Sequence, residues 1–271
     1  MAGFFGLFNY EKEGPGISKD APKKKTFIVF FETFFRNFWK FITINLVYFV
    51  MSIPIITNGL ANAGLTNVTR NIARDKHSFG LSDFFETVKK NWKQSLIAGI
   101  INVIITVFLI FSISFYYHNS NGILNTVGLG VLLCIAFIFL VMNFYIWTMI
   151  ITFKLSLKQI YRNSFKFVFI NMKKNLLCGI ILLLVYAVYI AIFLLIPNYL
   201  VLTIELMIIL CTLPAFRFLL IQFCTFPSIK KYIIDPYYEE HPDEDIELRR
   251  NLGIEIENED ESETDGIDTD E

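Results

Sequence analysis

Between Lys93 and Lys154 the chain has no aspartate, glutamate, lysine or arginine for 60 consecutive residues, Gln94–Phe153. A crossing of a ~30 Å hydrocarbon layer takes ~20 mainly apolar residues, so this stretch holds two crossings and excludes a soluble core. Cysteine is scarce too. The four residues Cys134, Cys178, Cys211 and Cys224 show no CxxC spacing and fall in apolar runs. That favours reduced, buried, small apolar residues over a disulfide or metal site. There is no phosphate-binding glycine loop, no HExxH pair and no nucleophile elbow. His77, His118 and His241 sit in separate loops and cannot share a metal.

What remains is apolar: 54% of the 271 residues are hydrophobic and 16% aromatic. The formal net charge of −1 conceals an asymmetry, since 17 of the 25 acidic residues lie at Asp235 or beyond. The part before Asp235 carries 22 basic against 8 acidic residues. Those basic residues stand at the edges of apolar runs, which fits anionic lipid headgroups and not nucleic acid.

Taken in order, residues 1–25 combine Gly3-Phe4-Phe5-Gly6-Leu7-Phe8 with Lys23-Lys24-Lys25, an interfacial foot with phenylalanines in the headgroup region. They lack the basic start and continuous apolar core of a signal peptide, so the first span is expected to direct insertion. A helix follows to Pro54, with Phe34, Phe35, Phe38 and Trp39 beside Arg36 and Lys40 as an aromatic and basic belt. No charge occurs between Lys40 and Arg70, a gap too long for one span and short for two. Arg70, Arg74, Lys76, Lys89, Lys90 and Lys93 make the next connector basic, like the N-terminus. The positive-inside rule places both on one side, so Leu60–Asp75 is expected to return through the membrane. Asn62, Thr66 and Asn67 require that helix to be shielded by protein.

Two connectors read as amphipathic cytoplasmic helices. In the first, Ser82 is the expected N-cap and Leu81, Phe85, Val88 and Trp92 share one face, leaving Lys89, Lys90 and Lys93 for headgroups. In the second, Tyr161, Phe165, Val168 and Met172 form the apolar face, with Lys173 and Lys174 at the membrane edge. Lys89-Lys90-Asn91 before Leu96-Ile97-Ala98-Gly99-Ile100-Ile101 parallels Lys173-Lys174-Asn175 before Leu176-Leu177-Cys178-Gly179-Ile180-Ile181, the second copy shorter by about one turn. Each connector also has an upstream Ser-Phe pair, Ser78-Phe79 and Ser164-Phe165. This suggests an internal duplication of connector plus hairpin.

The expected fold is therefore all-α, a polytopic transmembrane bundle of about six crossings in three hairpins. Its spans are 34–56, 60–76, 95–117, 123–152, 176–196 and 199–228. The transmembrane domain covers 26–234, both termini are cytoplasmic, and 235–271 forms an acidic tail too polar to fold alone. Within the spans only Glu205 and Arg217 are charged, which makes them candidates for function. Glu205 is near enough to the outer end to reach water. Arg217 follows Pro214, which frees a carbonyl for the guanidinium to satisfy, or it lines a substrate path. Asn102 and Asn143 could hydrogen-bond across the central hairpin. No cofactor site and no catalytic set is readable.

The chain resembles the YesL family of bacterial membrane proteins (domain of unknown function 624). The residues that carry the likeness are GLFNYEKEGPG at Gly6–Gly16, FFRNFWKFITINLVYFVMSIPIITNG at Phe34–Gly59, VTRNIARDKHSFGLSDFFETVKKNW at Val68–Trp92 and TFKLSLKQIYRNSFKF at Thr152–Phe167. It spans roughly residues 1–240 and leaves the acidic tail as an addition. The resemblance implies a plasma-membrane protein of Gram-positive bacteria, associated with carbohydrate uptake by ATP-binding-cassette transporters. It supplies no catalytic residues. The resulting expectation is a non-enzymatic accessory of such a system, with permease subunits as partners. A small independent transporter or channel is the rival.

Overall fold

The computed structural model describes residues 25–119, 122–196 and 198–240. The N-terminal foot and the tail beyond Glu240 lie outside the described residues. Helices α1 (Thr26–Arg36) and α2 (Phe38–Ser52) are followed by a single 3-10 turn, Ile55–Thr57, and α3 (Asn58–Ala73). Then come α4 (Leu81–His118), α5 (Ile123–Thr152), α6 (Leu157–Ile170), α7 (Met172–Leu195) and α8 (Tyr199–Ile229). A π-helical turn, Lys230–Ile234, leads to α9 (Asp235–Glu240). The described residues contain no strand.

Four of these helices, α4, α5, α7 and α8 with its extension, are long and apolar enough to cross a membrane. α2 and α3 are shorter, and α3 is not among the four. At 16 residues α3 is ~24 Å long and carries Asn58, Asn62, Thr66, Asn67 and Thr69. It packs on α2, α4, α5 and α8, and nine of its residues are buried. Protein thus takes the place of lipid around its polar side chains.

The core lies toward the end of the bundle at which α5 meets α6. Phe144–Ile150 is buried without interruption, so α5 is there enclosed on every side. Toward the other end the same helix exposes Leu124, Val127, Val131 and Leu140, as α7 exposes Leu183, Val188 and Leu194. α1 joins the core through phenylalanine. The Phe30 ring lies 5.2 Å from Phe216 and 5.5 Å from Phe223, and Phe34 lies 5.6 Å from Phe216. Of the expected aromatic belt, Phe35 and Trp39 are exposed, but Phe34 is a core residue because α8 covers it.

Three asparagines make the bends. Asn37 (φ −105°, ψ 15°) joins α1 to α2, Asn91 (φ −111°, ψ 16°) interrupts α4, and Asn171 (φ −112°, ψ 29°) joins α6 to α7. All three occupy the sparsely populated bridge region of backbone space. At two of them the side chain adds a bond to the turn before the bend. Asn37 Nδ2 donates to Thr33 O (3.0 Å) and Asn91 Nδ2 to Thr87 O (3.2 Å), four residues back in each case.

The first connector needs one correction, its cap. The first begins at Leu81 behind Gly80, whose φ of +67° suits glycine, so Ser82 is not its cap. Asp83 instead accepts from Ser78 Oγ (2.7 Å) and from Phe79 N–H (3.1 Å), closing the turn before the helix. Its buried residues are Phe84 and Thr87, while Leu81, Phe85 and Trp92 are exposed, because Gly64 of α3 receives the Phe84 ring. α6 likewise buries Ile160, Ser164, Phe167 and Val168 and leaves Phe165 exposed, as is Met172 beyond it. Its Ser156 and Gln159 form a complete capping box.

Candidate functional site

Several polar residues inside the bundle are joined across helices. Asn102 Nδ2 donates to Asn143 Oδ1 (2.9 Å), linking α4 to α5, and Tyr161 Oη donates to Asn102 Oδ1 (2.9 Å), adding α6. Burial pushes the Tyr161 hydroxyl up to about 12, which keeps it a donor at neutral pH. Deeper in the core, Asn171 Nδ2 donates to Tyr145 Oη (2.9 Å) and Tyr145 Oη to Asn175 Oδ1 (2.6 Å). Asn175 Nδ2 caps Phe167 O and Val168 O at 3.0 and 3.2 Å. Gln222 Nε2 donates to Thr148 Oγ1 (2.9 Å), tying α8 to α5.

Arg70 belongs to this network and not to the basic connector. From the last turn of α3, Nη1 donates to Thr152 Oγ1 (2.7 Å) and Nη2 to Asn67 Oδ1 (2.8 Å). Sequence reading missed it by counting it with the headgroup cations; the Asn67–Arg70 spacing of three was the available signal.

The two charged span residues stand apart. Glu205 is buried at 8% exposure, not open to water, and its Oε1 has no partner. The Arg217 guanidinium lies over the Phe218 ring, 4.7 Å from the centroid, with Nε unpartnered. No Glu205–Arg217 ion pair occurs among the described residues. Nor does Arg217 meet the interruption at Pro214. Asn45 does so: its Nδ2 donates to Cys211 O (2.6 Å) and its Oδ1 accepts from Ala215 N–H (2.9 Å). In an uninterrupted helix those two backbone groups bond each other. Lys89, Lys90, Lys93, Lys173 and Lys174 are all exposed, as headgroup contacts require.

Between α5 and α7 lies a cleft of about 410 Å³ with an almost wholly apolar lining. Leu133, Phe137 and Val141 form one wall, Met172 and Asn175 the other, and Val168 and Phe169 of α6 the floor. The Asn175 amide is already bonded, so the cleft offers no free polar group. Cys134 also opens onto it and is exposed, against expectation, since α5 has protein on one side only at this height. Cys178 is buried, Cys211 and Cys224 are half-buried, and all four thiols are free.

The structure offers a register for the suggested duplication. Bend aligns with bend, Asn91 with Asn171, so Leu96–Ile101 aligns with Leu176–Ile181 with no residue missing. Lys173-Lys174-Asn175 then corresponds to Lys93-Gln94-Ser95, not to Lys89-Lys90-Asn91, and the Ser-Phe pairs fall out of register. Gly99 aligns with Gly179. A Cβ on Gly99 would sit 2.7 Å from Gly59 Cα of α3, whereas one on Gly179 would meet nothing within 4 Å.

A helical bundle with four apolar helices long enough to cross a membrane is consistent with a multi-pass membrane protein. Residues 41–113 match the family described as Protein of unknown function, DUF624. That stretch holds nearly all of α2, the turn, α3 and most of α4, including the Gly59–Gly99 contact, and the match agrees with the assignment drawn from the sequence. Among curated proteins and among solved structures, nothing matches.

Proposed function

We propose that this chain is a non-enzymatic accessory or regulatory subunit of a larger membrane assembly. The observation that carries the reading is the apolar cleft, which runs along the side of the bundle and presents no polar group to a solute. The polar side chains of the interior, from Asn45 to Gln222, are largely committed to holding helices together. In this reading α2, α3, α4, α5, α7 and α8 are the six crossings, and both termini face the cytoplasm of a bacterial plasma membrane. The exposed lysines then contact anionic headgroups. The family resemblance supplies the partner class, the permease subunits of a carbohydrate-uptake ATP-binding-cassette system.

Gentle extraction, affinity capture through a C-terminal tag and quantitative mass spectrometry test this. Permease and ATPase subunits at near-equal amounts are the expected result; this chain recovered alone overturns it. One observation favours an independent transporter instead: Glu205 Oε1 and Arg217 Nε are buried without partners. Proteoliposomes separate the two readings. Solute flux abolished by Arg217→Ala supports the transporter, and flux equal to empty vesicles with folded protein present removes it.

A further inference from the structure

Three cations meet where α3 ends. Arg70 stands in the last turn and Arg74 follows it. A Schellman turn then brings Lys76 back to both: Asp75 is left-handed (φ 52°) and Lys76 N–H donates to Asn71 O (3.0 Å). Arg74 lies within electrostatic reach of Arg70, and Lys76 of both. The two bonds of the Arg70 guanidinium go to neutral groups, Thr152 and Asn67, and its Nε is buried without a partner. The adjacent carboxylate of Asp75 is bonded to Arg36, and that of Asp83 to Ser78 and Phe79. The negative end of the α3 dipole amounts to about half a charge and offsets only part of three positive ones.

The acidic end of the chain leaves the bundle close by. The Arg74 guanidinium lies 4.7 Å from the centre of the Phe226 ring on α8. From Phe226 the helical run continues to Glu240, with Ile234 and Tyr238 buried, so Glu240 stands at most ~21 Å along the axis from that ring. Extended chain covers this distance in about seven residues. Residues 251–271 begin eleven positions beyond Glu240 and hold ten carboxylates and no lysine, arginine or histidine. We infer that this segment, 251–271, docks on the Arg70–Arg74–Lys76 cluster of its own chain. Tethering decides between it and a lipid headgroup. A segment on so short a leash is present at an effective concentration on the order of mM, and it brings many charges on one strand. The contact ties the end of α8 to the end of α3 and keeps headgroup phosphates from these three cations.

The test uses the full chain in mixed micelles containing phosphatidylglycerol, with a carbodiimide to couple lysine amines to carboxylates in direct contact. Peptide mass spectrometry is expected to find Lys76 joined to 251–271 about fivefold more than Lys89 or Lys158, although both of these are the more exposed. Coupling to those two lysines at least equal to that of Lys76 overturns the inference. Light and heavy chains are mixed before coupling. Adducts within one isotope class support the inference, and mixed adducts, which mark a second copy, overturn it. Arg74→Gln should lower the Lys76 adduct by about tenfold, and an undiminished adduct in folded protein counts against the docking. A second measurement leaves the bundle unchanged. With the ten carboxylates replaced by amides, acetylation of Lys76 should quicken severalfold while Lys89 keeps its rate. Equal Lys76 rates in the native and neutralised chains would assign the cluster to headgroup phosphate and remove the inference.

Discussion

Gly59 of α3 and Gly99 of α4 meet backbone to backbone, with room for a Cβ on neither. A side chain at 99 would have to displace α3, around which the rest of the bundle is packed. Gly99→Leu is therefore expected to unfold the protein or to cost ~3 kcal/mol or more. Gly179→Leu, on α7, enters open space and is expected to change stability by less than ~1 kcal/mol. Thermal unfolding of both variants in one detergent measures the contrast. Equal losses would mean that the close Gly59–Gly99 approach is not what makes position 99 intolerant of a side chain.

The second prediction concerns Asn45, which is fully buried and bonded to two backbone groups of α8. Asn45→Leu leaves a buried N–H and a buried C=O of α8 without this partner, at a cost of ~2–4 kcal/mol. Pro214 is the reason the amide is needed, because it removes one donor from the ladder and pushes the chain aside. In a Pro214→Ala background the helix can close on itself, so the cost of Asn45→Leu should fall to less than half. A double-mutant cycle reads this as a coupling energy; additive losses would show that Asn45 and Pro214 act independently.

These two sites show where sequence reading stops. The central hairpin was legible because charge is absent for 60 residues, and the shielding of α3 because Asn62, Thr66 and Asn67 cannot face lipid. Asn45 was not legible: it is one polar residue in an apolar run, and its partners lie 166 and 170 positions away. Arg217 was the more conspicuous candidate for the Pro214 gap since it lies on the same helix, yet an amide, with one donor and one acceptor side, matches a broken N–H and C=O pair better than a guanidinium. Periodicity located the apolar faces of the two connectors but could not say which of their residues the core takes, Phe84 and Thr87 in the first and Ile160, Ser164, Phe167 and Val168 in the second, because the neighbours that bury them are distant in sequence.

A third prediction separates the links among Tyr161, Asn102 and Asn143. Asn102→Leu removes the bonds to both Asn143 and Tyr161 and should cost more than Tyr161→Phe, which removes the bond to Asn102 and a longer one to Ala98 O (3.4 Å). Interhelical bonds of this kind in membranes average ~0.6 kcal/mol, so the difference should be of that order. Chemical unfolding in mixed micelles would resolve it. A larger effect from Tyr161→Phe would place the weight on the Tyr161 hydroxyl and its second acceptor, Ala98 O (3.4 Å), and not on the Asn102–Asn143 bond.

The same tyrosine gives a dependence on pH. Its folded-state value, raised by burial to about 12, exceeds the ~10 of an exposed tyrosine, so the folded protein holds the proton more tightly than the unfolded chain. The stabilisation this provides is complete below about pH 10 and is lost as pH rises toward 12. Lysines titrate in the same window, and the informative quantity is therefore the difference between native protein and Tyr161→Phe. The native chain should lose stability more steeply from pH 9.5 to 12. Parallel curves for the two would show that the Tyr161 hydroxyl ionises as readily in the folded bundle as in water, and that the bond to Asn102 does not shield it.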